Sequence, residues 1–278
     1  MAVLALAVPS AVGASARPAV LDLVDHSRKI ELPSGRRVPR PVTTDLFYPP
    51  SGDGPWPLVV FGHGFASTPA VYRRLLRAWA DAGYLVAAPV FPLGNADAPG
   101  GPDENDIVNQ PRDMSFVISQ LLAASASASN PLHGLVDARR IAVAGQSDGA
   151  MTAFATAYER PWRDPRVRAA VVLSGAILGR RVPLDPHAAP LLAVQGTADH
   201  VNEPKYAIDL FDAVDRPKFL LLMRRAGHLP PYTVPGPQLA LVERVSIAFL
   251  HRYLGSGSLV GIARAAAPFR DAELTSRP

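Results

Sequence analysis

Apolar positions in this chain fall into short unbroken runs separated by longer stretches with helical spacing. Pro55 and Pro57 introduce Leu58-Val59-Val60-Phe61, and Gly62-His63-Gly64-Phe65 follows it. A run that is apolar without alternation is what a strand covered on both faces requires. Runs of the same kind recur at Tyr84 to Ala88, Arg140 to Ala144, Ala169 to Leu173, Leu191 to Gln195 and Lys218 to Leu222. Between them lie helical patterns. Val71 to Ala82 places Leu75, Leu76 and Trp79 on one face with Arg73, Arg74 and Arg77 around it, and Gly83 stops it. Further helices are predicted from Arg112 to about Ala124, over Asp148 to Tyr158, around Tyr206 to Val214, and over Gln238 to Tyr253. Arg36 to Tyr48 mixes alternation with several prolines and predicts an early edge hairpin or strand pair. Strands alternating with helices predict one α/β domain, a mostly parallel, doubly wound sheet with helices on both faces.

Composition narrows the classes. With 278 residues, 48% of them hydrophobic and 19% charged, the chain reads as one ordinary globular domain rather than a disordered or fibrous polymer. The formal charge of +4 is spread over isolated pairs, Arg36-Arg37, Arg73-Arg74, Arg139-Arg140, Arg180-Arg181 and Arg224-Arg225. Such pairs read as solvated faces, so no nucleic-acid partner is expected. There is no cysteine, which excludes disulfides, thiol catalysis and cysteine metal sites. Ala2 to Ala14 is apolar but too short to span a bilayer, and Ala14-Ser15-Ala16 has the small-x-small form of a cleavage site. Residues 1–16 therefore read as a signal peptide of a secreted chain. The alternative is an apolar extension of a cytoplasmic one, since no basic residue precedes the run. A catalytic domain is expected over 20–254. Residues 255–278, opening with Gly-Ser-Gly-Ser, read as a tail or a short docking helix, and the oligomeric default is a monomer.

The chemistry centres on Gly145-Gln146-Ser147-Asp148-Gly149, set between a buried strand and a helix rich in Ala and Thr. A serine on so sharp a strand-to-helix turn has a strained backbone, and the glycines two residues to either side remove Cβ atoms that would clash. The turn lifts the Ser147 hydroxyl clear of the sheet and places the N–H of Asp148 at a helix N-terminus, where it faces an oxyanion. Serine needs a base to take its proton. Downstream, Gly196-Thr197-Ala198-Asp199 and Arg224-Arg225-Ala226-Gly227-His228 each follow the end of an apolar run, which places an acid and a base at strand ends. His63-Gly64-Phe65 follows the first core run, and its Phe65 N–H is the candidate second oxyanion donor.

These landmarks, with Val136-Asp137-Ala138-Arg139-Arg140-Ile141 before the elbow, resemble the α/β-hydrolase superfamily over roughly Leu46 to Leu254. More narrowly the chain is similar to dienelactone-hydrolase-like, chlorophyllase-like and cutinase-type polyesterase relatives. It departs from true dienelactone hydrolases, whose nucleophile is Cys, and from the polyesterases that carry His-Ser-Met where this chain has Gln146-Ser147-Asp148. The resemblance implies a single-domain α/β-hydrolase fold and a triad of Ser147, Asp199 and His228. It also implies an oxyanion hole of Phe65 and Asp148, supported by His63, Gly64, Gly145, Gln146 and Gly149.

Plainer readings exist for each residue. Ser147 also reads as a helix cap, Asp199 as a turn residue with Glu203 as substitute acid, and His228 as a structural loop histidine. His63 reads as a scaffold for the oxyanion loop, His200 as a neighbour shaping the site, and His26, His133, His187 and His251 as surface or structural residues. The acidic stretch Asp97 to Asp106 lacks the spacing of a calcium loop and reads as a loop near the site mouth. No metal and no cofactor are expected, since ester hydrolysis needs no electron sink. The short connection Ser174 to Pro190 predicts no large cap. An open site suits small esters and esters on bulky or polymeric molecules alike, with Phe65 and Trp162 as candidate apolar walls. A peptidase, an acyltransferase or a non-catalytic binding protein of the same fold are the competing readings.

Overall fold

The computed structural model describes residues 18–177, 182–185 and 189–278. The expected leader, Arg180-Arg181 and His187 lie outside the described residues.

The elements in chain order are β1 (Ala19–Leu21), β2 (Val24–Glu31), β3 (Arg37–Pro41), β4 (Thr44–Phe47), β5 (Trp56–Gly62), α1 (Arg73–Asp81), β6 (Leu85–Pro89), α2 (Gln110–Ala126), β7 (Val136–Gln146) and α3 (Asp148–Tyr158). They continue as β8 (Val167–Leu173), β9 (Leu191–Gly196), α4 (Pro204–Ala213), β10 (Lys218–Met223), α5 (Pro230–Thr233), α6 (Pro237–Leu254), α7 (Leu259–Ala266) and β11 (Ala272–Arg277). Nine strands form one sheet in the order β1-β4-β6-β5-β7-β8-β9-β10-β11. The six from β6 to β10 run parallel. At one edge β4 runs antiparallel to β6 and β1 antiparallel to β4, and at the other β11 runs antiparallel to β10.

The unbroken apolar runs are explained by covering on both faces. Val59 and Phe61 of β5 enter one core with Leu75, Leu76 and Trp79 of α1 and the apolar stripe of α6. Leu58 and Val60 enter the other, with Met114, Val117 and Leu121 of α2 and Ala150, Ala153 and Phe154 of α3. The fully buried Trp79 indole donates to Ser246 Oγ at 2.8 Å, pinning α1 to α6 without leaving a polar atom unpaired.

Two segments differ from the expectation. The predicted strand pair over Arg36 to Tyr48 exists as two strands, but they do not pair with each other. β3 pairs with β2 in a separate two-stranded ribbon, and β4 pairs with β1 and β6. The physical reason is side-chain character: Leu46 and Phe47 supply the two cores, while Arg and Pro dominate β3. The tail over 255–278 is a helix followed by a strand. Ile262 and Ala265 of α7 are buried in the core, and β11 closes the sheet against β10.

Arg40 at the end of β3 is 2% exposed and binds two carboxylates at once. Its Nε donates to Asp113 Oδ1 at 2.8 Å and its Nη1 to Asp106 Oδ1 at 2.9 Å, while Nη2 reaches the second oxygen of each. Asp106 lies in a 3-10 turn at Glu104–Asn109, so this cluster anchors the long loop after β6. The same loop is laced to the segment after β5, where Ala66 N–H donates to Gly94 and Ala96 N–H to Ser67.

Candidate active site

The sheet reverses its winding between β5 and β7, since β6 lies on one side of β5 and β7 on the other. At such a switch point the loops at the carboxyl ends of the strands part and leave a crevice. β5 delivers His63-Gly64-Phe65 to this crevice, and β7 delivers Ser147.

Ser147 has φ 57° and ψ −121°, a conformation that L-residues rarely adopt, and it is followed at once by α3. The turn is tight enough that side chains at the flanking glycines would collide with backbone. A Cβ on Gly145 would stand 2.0 Å from the Gly149 oxygen, and one on Gly149 would stand 2.0 Å from the Gly62 oxygen. α3 can therefore pack on β5 and β7 only with glycine at both positions.

Ser147 Oγ–H donates to His228 Nε2 at 2.8 Å, and His228 Nδ1–H donates to Asp199 Oδ2 at 2.8 Å. His228 follows β10 and Asp199 follows β9, neighbouring parallel strands. Their loops are stitched together by Thr197 N–H to Met223 and Ala198 N–H to Ala226. Asp199 is 2% exposed and accepts from the N–H groups of Val201 and Asn202, each at 2.9 Å, and from Gln195 Nε2 at 3.0 Å. Burial pushes its carboxyl up, but hydrogen bonds from His228 and Asn202 outweigh burial and hold it below the usual carboxylate range. Glu203, the substitute acid, is exposed at the start of α4, and it is Asp199 that holds the imidazole.

His63 is 1% exposed and has backbone partners on both ring nitrogens. Phe91 N–H donates to Nε2 at 3.0 Å, which fixes the proton on Nδ1, where it is given to the Gly64 carbonyl at 2.8 Å. Burial pushes this imidazole down to about 4, so it stays neutral and braces the turn. Next to it, Gly64 N–H donates to Tyr72 Oη at 3.2 Å. Phe65 N–H has no protein acceptor among the described residues, and Asp148 N–H belongs to the first turn of α3, where helix amides lack intrahelical partners.

Gln146 ties these parts together. Its Oε1 accepts from Tyr72 Oη–H at 2.7 Å, and its Nε2 donates to the His228 carbonyl at 3.0 Å. A single chain of hydrogen bonds thus runs from the Gly64 amide through Tyr72 and Gln146 to the loop that carries His228. Tyr72, Gln195 and Asn202 escaped the sequence reading. Tyr72 looks like part of an ordinary helical onset, and the other two carry no motif, because only the folded sheet brings them to the crevice.

Trp162 follows α3 in a turn, its N–H donating to the Glu159 carbonyl at 2.9 Å. Phe65 is 39% exposed at the crevice edge. A cavity of about 680 Å³, lined by Met223, Arg224, Leu241, Phe269 and others, does not include Ser147. Ser147 itself is half-buried.

No curated protein matches the chain. The chlorophyllase family model matches residues 23–173, more than half of the chain, a span that includes the β5 turn and the Ser147 elbow and ends before Asp199 and His228. With a mostly parallel α/β sheet and a serine at its central strand-to-helix turn, the chain belongs to the chlorophyllase family, a family of serine ester hydrolases of the α/β-hydrolase type.

Proposed function

We propose that the chain hydrolyses carboxylic esters through an acyl-enzyme, with Ser147 as nucleophile, His228 as general base and then acid, and Asp199 as the group that orients the imidazole. The observation that carries this reading is the unbroken relay from Ser147 Oγ through His228 to Asp199, with both steps at 2.8 Å. The ester carbonyl oxygen sits between the N–H groups of Phe65 and Asp148. Ser147 Oγ bonds to the carbonyl carbon as its proton passes to His228 Nε2, and the oxyanion is held by the two amides. The C–O bond to the alcohol then breaks, and the alcohol leaves with the proton from His228. Water enters, loses a proton to the same nitrogen, attacks the acyl carbon and releases the acid. Asp199 stays ionised throughout and stabilises the imidazolium.

The rim supports esters with bulky apolar parts, polymeric ones included. Phe65 (39% exposed), Val201 (66%) and Leu229 (38%) present apolar side chains on the loops that carry the oxyanion donor, the acid and the base.

A fluorophosphonate probe tests the reading directly. Wild type is expected to label at Ser147, and Ser147→Ala to lose both the label and roughly 10⁴-fold or more in kcat on p-nitrophenyl esters. Folded wild type that takes no label overturns the mechanism. A panel of acetate to long-chain esters with one insoluble polyester then measures acyl range.

A further inference from the structure

The cavity beside β10 has no part in the mechanism, since none of the triad residues lines it. It forms where the carboxyl end of β10 meets the start of α5, the start of α6 and the segment leading into β11. Its volume of about 680 Å³ lies inside the range of about 300–1,000 Å³ that small-molecule sites occupy. Met223 and Leu241, both buried, and the half-buried Phe269 give it an apolar lining, with the exposed Val234 as a further wall. Two of its walls are tied directly, Arg224 N–H donating to the Asp271 carbonyl at 2.7 Å.

Charge on the same walls is one-sided. Arg224, Arg225 and Arg270, all exposed, stand against Asp271 as the one acid among the described residues that line the cavity. Asp271 answers only part of that charge, its Oδ1 lying 3.6 Å from Arg225 Nη2, while Arg224 and Arg270 have no ion pair among the described residues. Arg225 sits at φ 56°, a left-handed conformation that glycine holds at less cost, and its N–H is fixed by Thr197 Oγ1 at 3.0 Å. Gly236, Pro237 and Gln238 also line the cavity. They begin the eighteen-residue α6, whose first turn has no acidic residue and whose N-cap makes no side-chain bond, so the positive end of the helix adds to the arginines.

From this we infer that the cavity is a binding site, separate from the triad, for an amphiphilic organic anion: a carboxylate carried on an unbranched apolar chain of medium length. The chain covers Met223, Leu241 and Phe269, and the carboxylate is held by the exposed arginines, where it keeps part of its hydration and escapes the cost of full burial. An uncharged ligand of the same length gains the apolar contact alone, and a short anion gains only the weak attraction of exposed charges. An apolar cation is repelled. The site lies on the segment that leads from β10 to His228 and leaves Ser147 outside, so binding is measured without turnover and does not depend on the ester-hydrolase reading.

Isothermal titration of the full chain with decanoate tests it. Saturable binding of one decanoate per chain is expected, with decan-1-ol about tenfold weaker, acetate and decyltrimethylammonium not saturating, and the advantage over the alcohol shrinking with added salt. Arg224→Gln together with Arg270→Gln, both at exposed positions, is expected to lower decanoate affinity about five- to tenfold. Val234→Asp, also at an exposed position, sets a like charge on the wall and is expected to lower it by about tenfold or more. Arg139→Gln removes an equally exposed charge from β7, outside the cavity, and is expected to change nothing. A diazirine-bearing decanoate is expected to crosslink to peptides from 223–241 or 268–271. No saturable binding, decan-1-ol binding as tightly as decanoate, affinity that neither cavity variant moves, or crosslinks confined to the turns of Phe65 and Ser147 each overturns the site.

Discussion

Ser147 and Asp148 are adjacent residues that each hold an unfavourable state, one in its backbone and one in its side chain. A non-glycine residue at φ 57° and ψ −121° costs of order 1–3 kcal/mol, which the packing of α3 on the sheet sustains. Ser147→Gly relieves that strain and Ser147→Ala does not. Both variants lose activity, and the glycine form is expected to be the more stable by about 1 kcal/mol in urea unfolding, the extra freedom of its unfolded chain offsetting part of the gain. Equal stabilities would show that the elbow is unstrained. Asp148 makes the opposite kind of test, because its carboxyl is raised from 3.8 to about 6 in the folded protein. The native state then binds this proton more tightly than the unfolded chain. Its contribution to stability is complete below pH ~4 and lost as pH rises through about 6. Asp148→Asn is therefore expected to be more stable than wild type at pH 8, by an amount on the order of 3 kcal/mol from the shift alone. The difference should vanish at pH 4. Unfolding curves at both values check it, and a gain that is the same at both would assign the effect to packing instead of charge.

At the scale of elements, legibility follows burial. The six parallel strands were readable because both faces are covered and each carries an unbroken apolar run, and the helix over Asp148 to Tyr158 agrees with the sequence end to end. The edge strands were not. β2 reads Val-Asp-His-Ser-Arg-Lys-Ile-Glu and β11 reads Ala-Glu-Leu-Thr-Ser-Arg, half-solvated sequences whose strand character comes from a neighbour and not from their own pattern. The same division runs through the site. Ser147, Asp199 and His228 were legible from the strand ends they follow, whereas Tyr72 and Gln195 meet the site only through contacts distant in sequence. The loop after β6 is the clearest case, since its acidic residues look alike in the sequence but part company in the fold: Asp106 is buried against Arg40 and Glu104 is exposed. Replacing Arg40 by Met leaves Asp106 buried without its cation and Asp113 with only Arg28, which is expected to destabilise the protein by about 3–5 kcal/mol. Because that loop also accepts the Ala66 amide, the variant's kcat is expected to fall along with its melting temperature. Unchanged kcat in folded Arg40→Met would separate the anchor from the oxyanion turn.

For the whole molecule, the tail decides where the sheet ends and how firmly the His228 loop is held. β11 pairs along the full length of β10, from Lys218 against Arg277 to Met223 against Ala272. Just past β10, Arg224 N–H donates to the Asp271 carbonyl at 2.7 Å, so the strand that leads to His228 is tied to the tail on its open side. Ile262 of α7, fully buried, closes the core beneath α6. A chain ending at Leu254 loses all three. β10 becomes a bare edge whose free N–H and C=O groups invite pairing with another copy. Loss of the buried Ile262 and Ala265 side chains adds a few kcal/mol of destabilisation by the usual scale for large buried groups. The expected result is a lower melting temperature, self-association in size-exclusion chromatography with light scattering, and slower fluorophosphonate labelling of the remaining monomer. Labelling is the informative measurement, since edge exposure alone explains aggregation but leaves Ser147 and His228 in register. A truncated monomer that labels at the wild-type rate would show that β9 and β10 hold the Asp199–His228 pair without the tail.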